Sequence, residues 1–200
     1  AAHVSVTYDT TNEKAVIAYQ DLDNNIYGTA IVGTVSGTSM SFGTAVVFNS
    51  GDTRYTSTVY DTNAQKVVIS YEDNANSNRG TAIVGTVSGT SISYGTPVVF
   101  EADDAQYMVA TFDSTNDKVV IAYRNQTDTA GNAIVGTVSG TSISFGTAAV
   151  YSTDNVRDQK AAFDPVNNKV VIVFRDEGNS DVGTAVVGTV SGTSISLGSK

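Results

Sequence analysis

Two hundred residues carry 20 acids against 11 basic groups and one histidine, a formal charge of −9. Cysteine and tryptophan are absent, which excludes disulfides and thiolate metal sites. No apolar run reaches about 18 residues, so neither a membrane-spanning helix nor a signal peptide is expected. The acidic balance speaks against nucleic acid as a partner, because phosphate backbones need clustered Lys and Arg.

The chain is one unit written four times. GTAIVGTVSGTSMSFG at Gly28–Gly43 returns at Gly80–Gly95, Gly131–Gly146 and Gly183–Gly198, at offsets of 52, 51 and 52 residues. A second anchor keeps the same beat: YDTTNEK from Tyr8, YDTNAQK from Tyr60, FDSTNDK from Phe112 and FDPVNNK from Phe163. Sixteen of the 18 glycines occupy the four repeat positions, as a tandem array requires.

Each unit reads as four short strands rich in Val, Ile, Thr, Tyr and Phe. In the third copy these are Met108–Asp113, Lys118–Arg124, Ala133–Ser139, and a fourth from Ser142 through Phe145 to about Tyr151. Asp-x-x-Asn, or a close variant before Lys14, Lys66, Lys118 and Lys169, predicts a hairpin loop between strands one and two. Ser-Gly-Thr-Ser at Ser36, Ser88, Ser139 and Ser191 predicts a type II′ turn between strands three and four, with glycine at φ > 0.

The second strand governs packing. Val119, Ile121 and Tyr123 point one way, and Val120, Ala122 and Arg124 the other. Both faces are apolar near the strand's start, one with large residues and one mostly with small, so a sheet should cover each side. Stacked four-stranded meanders around an axis make a β-propeller. The expected fold is therefore all-β: a β-propeller of four four-stranded antiparallel blades, closed within the chain or half of a larger ring. A linear solenoid fits the long period less well, and a string of sandwiches needs more strands per unit. The expected domain is 1–200, with blades at about 1–49, 50–101, 102–152 and 153–200.

In such a meander the 1–2 and 3–4 turns share one end, while the 2–3 loops and the connections between blades share the other. The first set barely changes between copies. The second varies freely and holds most of the acids. Variable loops on a rigid scaffold commonly carry binding, which makes Asp21, Asp23, Arg54, Glu72, Asp73, Arg124, Arg157, Arg175 and Asp176 the candidate ligand-binding residues. Arg124 and Arg175 stand where other copies place Gln20 and Glu72, a pattern suited to ion pairs between blades or to a polar pocket for sugar hydroxyls. Asp21-Leu22-Asp23-Asn24-Asn25 has the alternating oxygens of a calcium loop but lacks the bidentate Glu at the right distance. No cofactor is expected, with calcium the one to test. No catalytic residue is assigned either: His3, the only histidine, lies at an expected frayed terminus, which disfavours a Ser-His-Asp arrangement. The Asp-box turns of propeller sialidases and the P-loop and dinucleotide signatures are missing as well.

The run KVVIAYRN…GNAIVGTVSGTSISFGTAAVY and its copies resemble a repeat of large virion structural proteins of marine phages, especially cyanophages, over essentially the whole chain. The resemblance implies a fibre-, tail- or appendage-associated protein, on a virion or otherwise extracellular. It implies no catalytic residues. The expected function is non-enzymatic adhesion to a host-surface glycan or protein through the variable loops. The alternatives are a purely architectural repeat that self-associates into a larger ring or fibre, and a calcium-stabilised lectin. Neither nucleic acid nor membrane insertion is expected.

Overall fold

The computed structural model describes residues 1–200, which form strands in 17 segments. Unit 1 contains β1 (Ala2–Asp9), β2 (Lys14–Asp21), β3 (Tyr27–Ser36) and β4 (Ser39–Phe42). β5 (Val46–Asp61), β6 (Lys66–Asp73), β7 (Arg79–Ser88) and β8 (Ser91–Tyr94) continue through unit 2. Unit 3 is built on β9 (Val98–Asp113), β10 (Lys118–Asn125), β11 (Gly131–Ser139), β12 (Ser142–Phe145) and β13 (Ala149–Ser152). Unit 4 comprises β14 (Val156–Asp164), β15 (Lys169–Asp176), β16 (Val182–Ser191) and β17 (Ser194–Leu197). All pairing is antiparallel, and within each unit the first three strands neighbour one another in chain order.

The expected fourth strand comes in two pieces. β4 pairs the end of β3, as Gly33↔Phe42 to Ser36↔Ser39, whereas the start of β5 pairs the beginning of β3, as Ala30↔Val46 and Thr29↔Val47. Between them the chain bends at Gly43, whose N–H still reaches the Val32 carbonyl at 2.9 Å. The cause lies in the next unit: a Cβ at Gly43, Gly95 or Gly146 would overlap the carbonyl of Thr90, Thr141 or Thr193 in the following 3–4 turn.

The boundary expected between residues 49 and 50 is likewise no break. β5 passes from the outer edge of unit 1, opposite Tyr27, straight into the inner position of unit 2, where Thr53 faces Asp73. β9 does the same from unit 2 to unit 3, so thirteen strands form one continuous sheet, and unit 4 stands as a separate four-stranded one.

Local chemistry explains the turns. Gly37, Gly89, Gly140 and Gly192 have φ of 59 to 61°, and the Thr that follows each does not share the positive φ, as a type II′ turn requires. In the 1–2 loops Asp9 Oδ1 accepts from the amides of Thr11 and Asn12 at 3.0 and 2.9 Å. Asp61, Asp113 and Asp164 repeat this pattern. The left-handed residue there is the one before the lysine (Glu13, Gln65, Asp117, Asn168; φ 54 to 55°) and not the Asp.

The units stack face to face, with the large-residue side of each on the small-residue side of the one before. Val16, Ala18, Ala30 and Val32 of unit 1 meet Val67, Ile69, Tyr71 and Ile83 of unit 2. Val68, Ala82 and Val84 meet Val119, Ile121 and Tyr123. Val120, Ala122, Ala133 and Val135 meet Val170, Ile172 and Phe174. The core is therefore three interfaces between units, and the faces predicted for the second strand are those observed. The outer faces of units 1 and 4 are left uncovered: Tyr8, Val35 and Met40 at one end and Val173 and Val187 at the other are exposed.

Candidate functional site

Each inner strand carries a bulge near the variable-loop end. Ala2 pairs Gln20 and Ser5 pairs Ala18, so His3 and Val4 together oppose Tyr19 alone. Tyr55 and Thr56 oppose Tyr71, Tyr107 and Met108 oppose Tyr123, and Asp158 and Gln159 oppose Phe174. The first residue of every bulge lies in the left-handed region: His3 at φ 49°, Tyr55 at 48°, Tyr107 at 51° and Asp158 at 55°. Holding a tyrosine there costs on the order of 1 kcal/mol or more, and such outliers cluster at functional sites.

The bulges turn these four side chains into one cleft of about 160 Å³ where the inner strands converge. The His3 and Tyr55 rings lie 5.0 Å apart, Tyr55 and Tyr107 4.9 Å apart, within the range of favourable tilted aromatic pairs. Arg157 extends the row, its guanidinium 5.9 Å from the Tyr107 ring centre and Nη1 donating to Tyr107 Oη at 3.4 Å. Burial, then the neighbouring Tyr107, pushes the Tyr55 phenol up to about 12. Burial and Arg54 hold the His3 imidazole below its ordinary value. Gln159, 2% exposed, also lines the cleft. Its amide lies beside the Tyr151 hydroxyl, but neither amide atom makes a hydrogen bond.

Behind the row sit polar groups from the ends of the second strands. Asp52 accepts from Gln20 Nε2 at 2.8 Å, Arg54 Nη2 at 2.7 Å and Asn74 Nδ2 at 2.6 Å. Glu72 faces Arg54 across the strand pair and is buried. Burial, followed by the charges of Asp104 and Asp52, raises its carboxyl to about 8 against the pull of Arg54, and Oε2 has no partner. Arg124 is buried in the equivalent place in unit 3 with its Nε unpaired. In unit 4 Glu177 collects Arg175 and Arg157. The Arg157 Nε lies 2.8 Å from Glu177 without the alignment of a hydrogen bond. Arg175 also lies 3.6 Å from Asp181 and 4.0 Å from Asp158.

Of the residues singled out from the sequence, Arg54, Glu72, Arg124, Arg157 and Arg175 belong to this layer around the cleft. No ion pair joins Arg124 or Arg175 to another unit: Arg175 pairs with Glu177, Asp181 and Asp158 inside unit 4, and Arg124 is buried in unit 3 with its Nε unpaired. Asp73 accepts from Asn49 at 3.2 Å and supports the connection into unit 2. Asp176 is fully buried and tied to Lys200 at 2.9 Å, a structural pair. Asp21 and Asp23 form a turn outside the cleft, the Asp23 amide donating to Asp21 Oδ1 at 3.3 Å. His3 is no frayed residue: it lies in β1, and its carbonyl accepts from Thr56 Oγ1. The sequence reading missed His3, Tyr55, Tyr107, Asp158 and Gln159. The first four hold the equivalent position in the repeat, one per copy, and that shared position is the signal that was there to find.

Fold and site together define an all-β protein of stacked antiparallel units with an aromatic-lined cleft at one end. The sequence matches no protein-family model and no curated protein. Among solved structures it is similar to an exo-β-1,3-galactanase from Phanerochaete chrysosporium solved with β-1,3-galactotriose. That likeness has a TM-score of 0.63 at 8% identity and covers 98% of this chain and 49% of that one. A nidogen/laminin complex superposes with a TM-score of 0.49 at 12% identity, over 91% of this chain and 60% of that one. The chain thus spans about half the length of the galactanase, and at such identities the likeness is one of fold alone.

Proposed function

We propose that the four units are blades of a β-propeller, and that the cleft at its variable end binds glycan as the adhesive part of a phage virion or cell-surface appendage protein. The observation that carries this reading is the row His3–Tyr55–Tyr107, held in left-handed bulges at matching positions of units 1 to 3, with Arg157 of unit 4 set against the Tyr107 ring. Flat rings stack on the apolar faces of sugars, and the polar groups around them, Asp158, Gln159 and Lys160, offer bonds to hydroxyls. The fold likeness to a galactanase supplies the first probe, β-1,3-galacto-oligosaccharides, and the phage resemblance of the repeat supplies the setting.

The role is binding rather than hydrolysis. Glycoside cleavage generally needs two carboxyl groups flanking the bond, and among the residues lining the cleft Asp158 is the one acid. The deciding experiment is a glycan array together with intact marine bacterial cells, run with calcium and with chelator. Wild-type should bind in both, and Tyr107→Ala should lose binding by about tenfold or more while keeping its melting temperature. Silence of wild-type on every surface, or a Tyr107→Ala variant that binds equally well, overturns the proposal. Binding lost only with chelator favours a calcium-stabilised lectin. A second reading, an architectural module whose loops bind nothing, is favoured by the exposed apolar faces of units 1 and 4 and predicts concentration-dependent mass.

A further inference from the structure

Gln20, Glu72 and Arg124 hold one place in the repeat, near the end of the second strand and opposite Gly28, Gly80 and Gly131. Each is buried, on the strand face turned toward the unit that follows. Between units 1 and 2 a carboxylate meets this place. Asp52 accepts from Gln20 Nε2 at 2.8 Å, and also from Arg54 Nη2 at 2.7 Å and Asn74 Nδ2 at 2.6 Å.

Between units 3 and 4 the repeat puts Arg124 for Gln20, Asn155 for Asp52, Arg157 for Arg54 and Glu177 for Asn74. The donors have gained charge and the central acceptor has lost it. Glu177 does not serve Arg124, because its carboxylate is taken by Arg175, by Asn155 Nδ2 and by Arg157, whose Nε lies 2.8 Å away. The Arg175 hydrogen bond, and in smaller part the charges of Arg157 and Arg124, hold the Glu177 carboxyl below its ordinary value, so three guanidiniums share the field of one carboxylate. Arg124 is 4% exposed and makes neither a hydrogen bond nor an ion pair. Its Nε is closed off from water, and so is the unpaired Asn155 Oδ1. A guanidinium stays charged at every ordinary pH, and taking it out of water is costly unless an acceptor meets it.

We propose that Arg124 and Arg157 form a carboxylate-binding site at the junction of units 3 and 4, which takes an acidic group of the ligand where unit 2 supplies its own Asp52. The planar fork of a guanidinium matches a carboxylate with two parallel hydrogen bonds. Arg157, its side chain 38% exposed, leaves the junction open toward solvent. It also donates to Tyr107 Oη at 3.4 Å, so a sugar ring against Tyr107 brings an acidic substituent to the junction. That the carboxylate arrives on a sugar, as in a uronic acid, rests on the glycan reading, whereas the site itself does not.

The test uses the whole chain, isotope-labelled, observed by NMR through the arginine Nε–H and asparagine side-chain signals. Sodium acetate is the bare carboxylate, and sodium chloride at equal ionic strength is its control. Tri-galacturonic acid and its carboxyl-reduced neutral form are the sugar probes. Acetate up to about 100 mM should shift the Arg124 Nε–H and the Asn155 amide, and chloride should shift neither. The acidic trisaccharide should bind at least about tenfold more tightly than the neutral one. Arg124→Gln, which installs the residue of unit 1, should keep the fold but erase that preference and the Asn155 response. Lys118→Ala, which removes a charge at the opposite end of the strand, should keep both. Acetate without effect on Arg124, an equal shift from chloride, or an acid preference unchanged in Arg124→Gln overturns the proposal. Acetate acting at Arg124 while both trisaccharides stay silent upholds the site and removes its sugar. Neutral trisaccharide bound while no carboxylate moves Arg124 removes the site and leaves the glycan reading standing.

Discussion

Val120 of unit 3 and Val171 of unit 4 hold the same place in the repeat, as do Ala122 and Val173, Ala133 and Ala185, and Val135 and Val187. The unit 3 residues are at 0 to 1% exposure, while Val173 and Val187 are at 41% and 46%. One sequence pattern thus builds a sealed core in one place and an open face in another, and the difference is the neighbour. A single four-stranded unit has two apolar faces and no means of covering either, so its stability resides in the interfaces, as in other stacked-repeat proteins.

Charge placed on each kind of face should separate them most sharply. Ile121 is at 0% exposure between units 2 and 3, and Ile121→Asp buries an unpaired carboxylate at about several kcal/mol, enough to unfold the domain. Val173→Asp on the open face of unit 4 should cost within about 1 kcal/mol, because the carboxylate stays in water. Urea unfolding of the pair reads this directly. Equal losses would mean that the unit 4 face is covered in solution.

A smaller contrast comes from two glycines at the same place in the repeat: a Cβ at Gly80 would overlap Phe100, and one at Gly183 meets nothing within 4 Å. Gly80→Ala drives a methyl into Phe100, itself packed against Tyr123 at 5.3 Å and Phe145 at 5.5 Å, and overpacking of this kind costs about 1–3 kcal/mol. Gly183→Ala should move the unfolding midpoint by no more than about 0.5 kcal/mol. A Gly80→Ala variant as stable as wild-type would mean that the rings between units shift freely.

The two ends of the strands differ in electrostatics as well. At the variable end Glu72 is raised to about 8 by burial and by Asp104. The folded state therefore holds its proton more tightly than the unfolded chain. The stability this confers is fully present below the unfolded value near 4.5 and is lost as pH rises through about 8. Glu72→Gln should match wild-type near pH 4 and exceed it above pH 8 by an amount on the order of a few kcal/mol. Asp61, also raised by burial, gives both proteins the same background trend, so the difference between them isolates Glu72. Parallel curves from pH 4 to 9 would place Glu72 in contact with water.

What was legible in the sequence was whatever short stretches determine. Asp9 and its copies need only the next three residues to close their loops, Gly37 and its copies need only their own φ, and the alternation of Val119 to Arg124 assigns both faces. What was not legible depends on register between strands. Tyr55 and Tyr107 read as the last residues of variable connections between blades, and only the two-against-one pairing with Tyr71 and Tyr123 sends them into the cleft. Likewise, Asp21 and Asp23 offered a suggestive spacing, but their turn stands away from the inner strands that build the cleft.

The smallest expected effect belongs to the invariant turn end. Lys118 Nζ donates to the carbonyls of Asn116 and Asp117 at 3.2 and 3.3 Å, contacts made at the solvent-facing edge of a loop that Asp113 already closes with three hydrogen bonds. Removing the lysine leaves those three bonds in place and exposes the two carbonyls to water, which replaces the lost donor at little cost. Lys118→Ala should therefore change stability by less than about 0.5 kcal/mol, although this lysine recurs in all four copies as faithfully as Ile121, which stands as Ile17, Ile69 and Ile172 in the others. Repetition along the chain marks turn and core alike, and burial between units sets the energy. A loss from Lys118→Ala as large as that from Ile121→Asp would reverse this ordering and move the centre of stability from the interfaces to the turns.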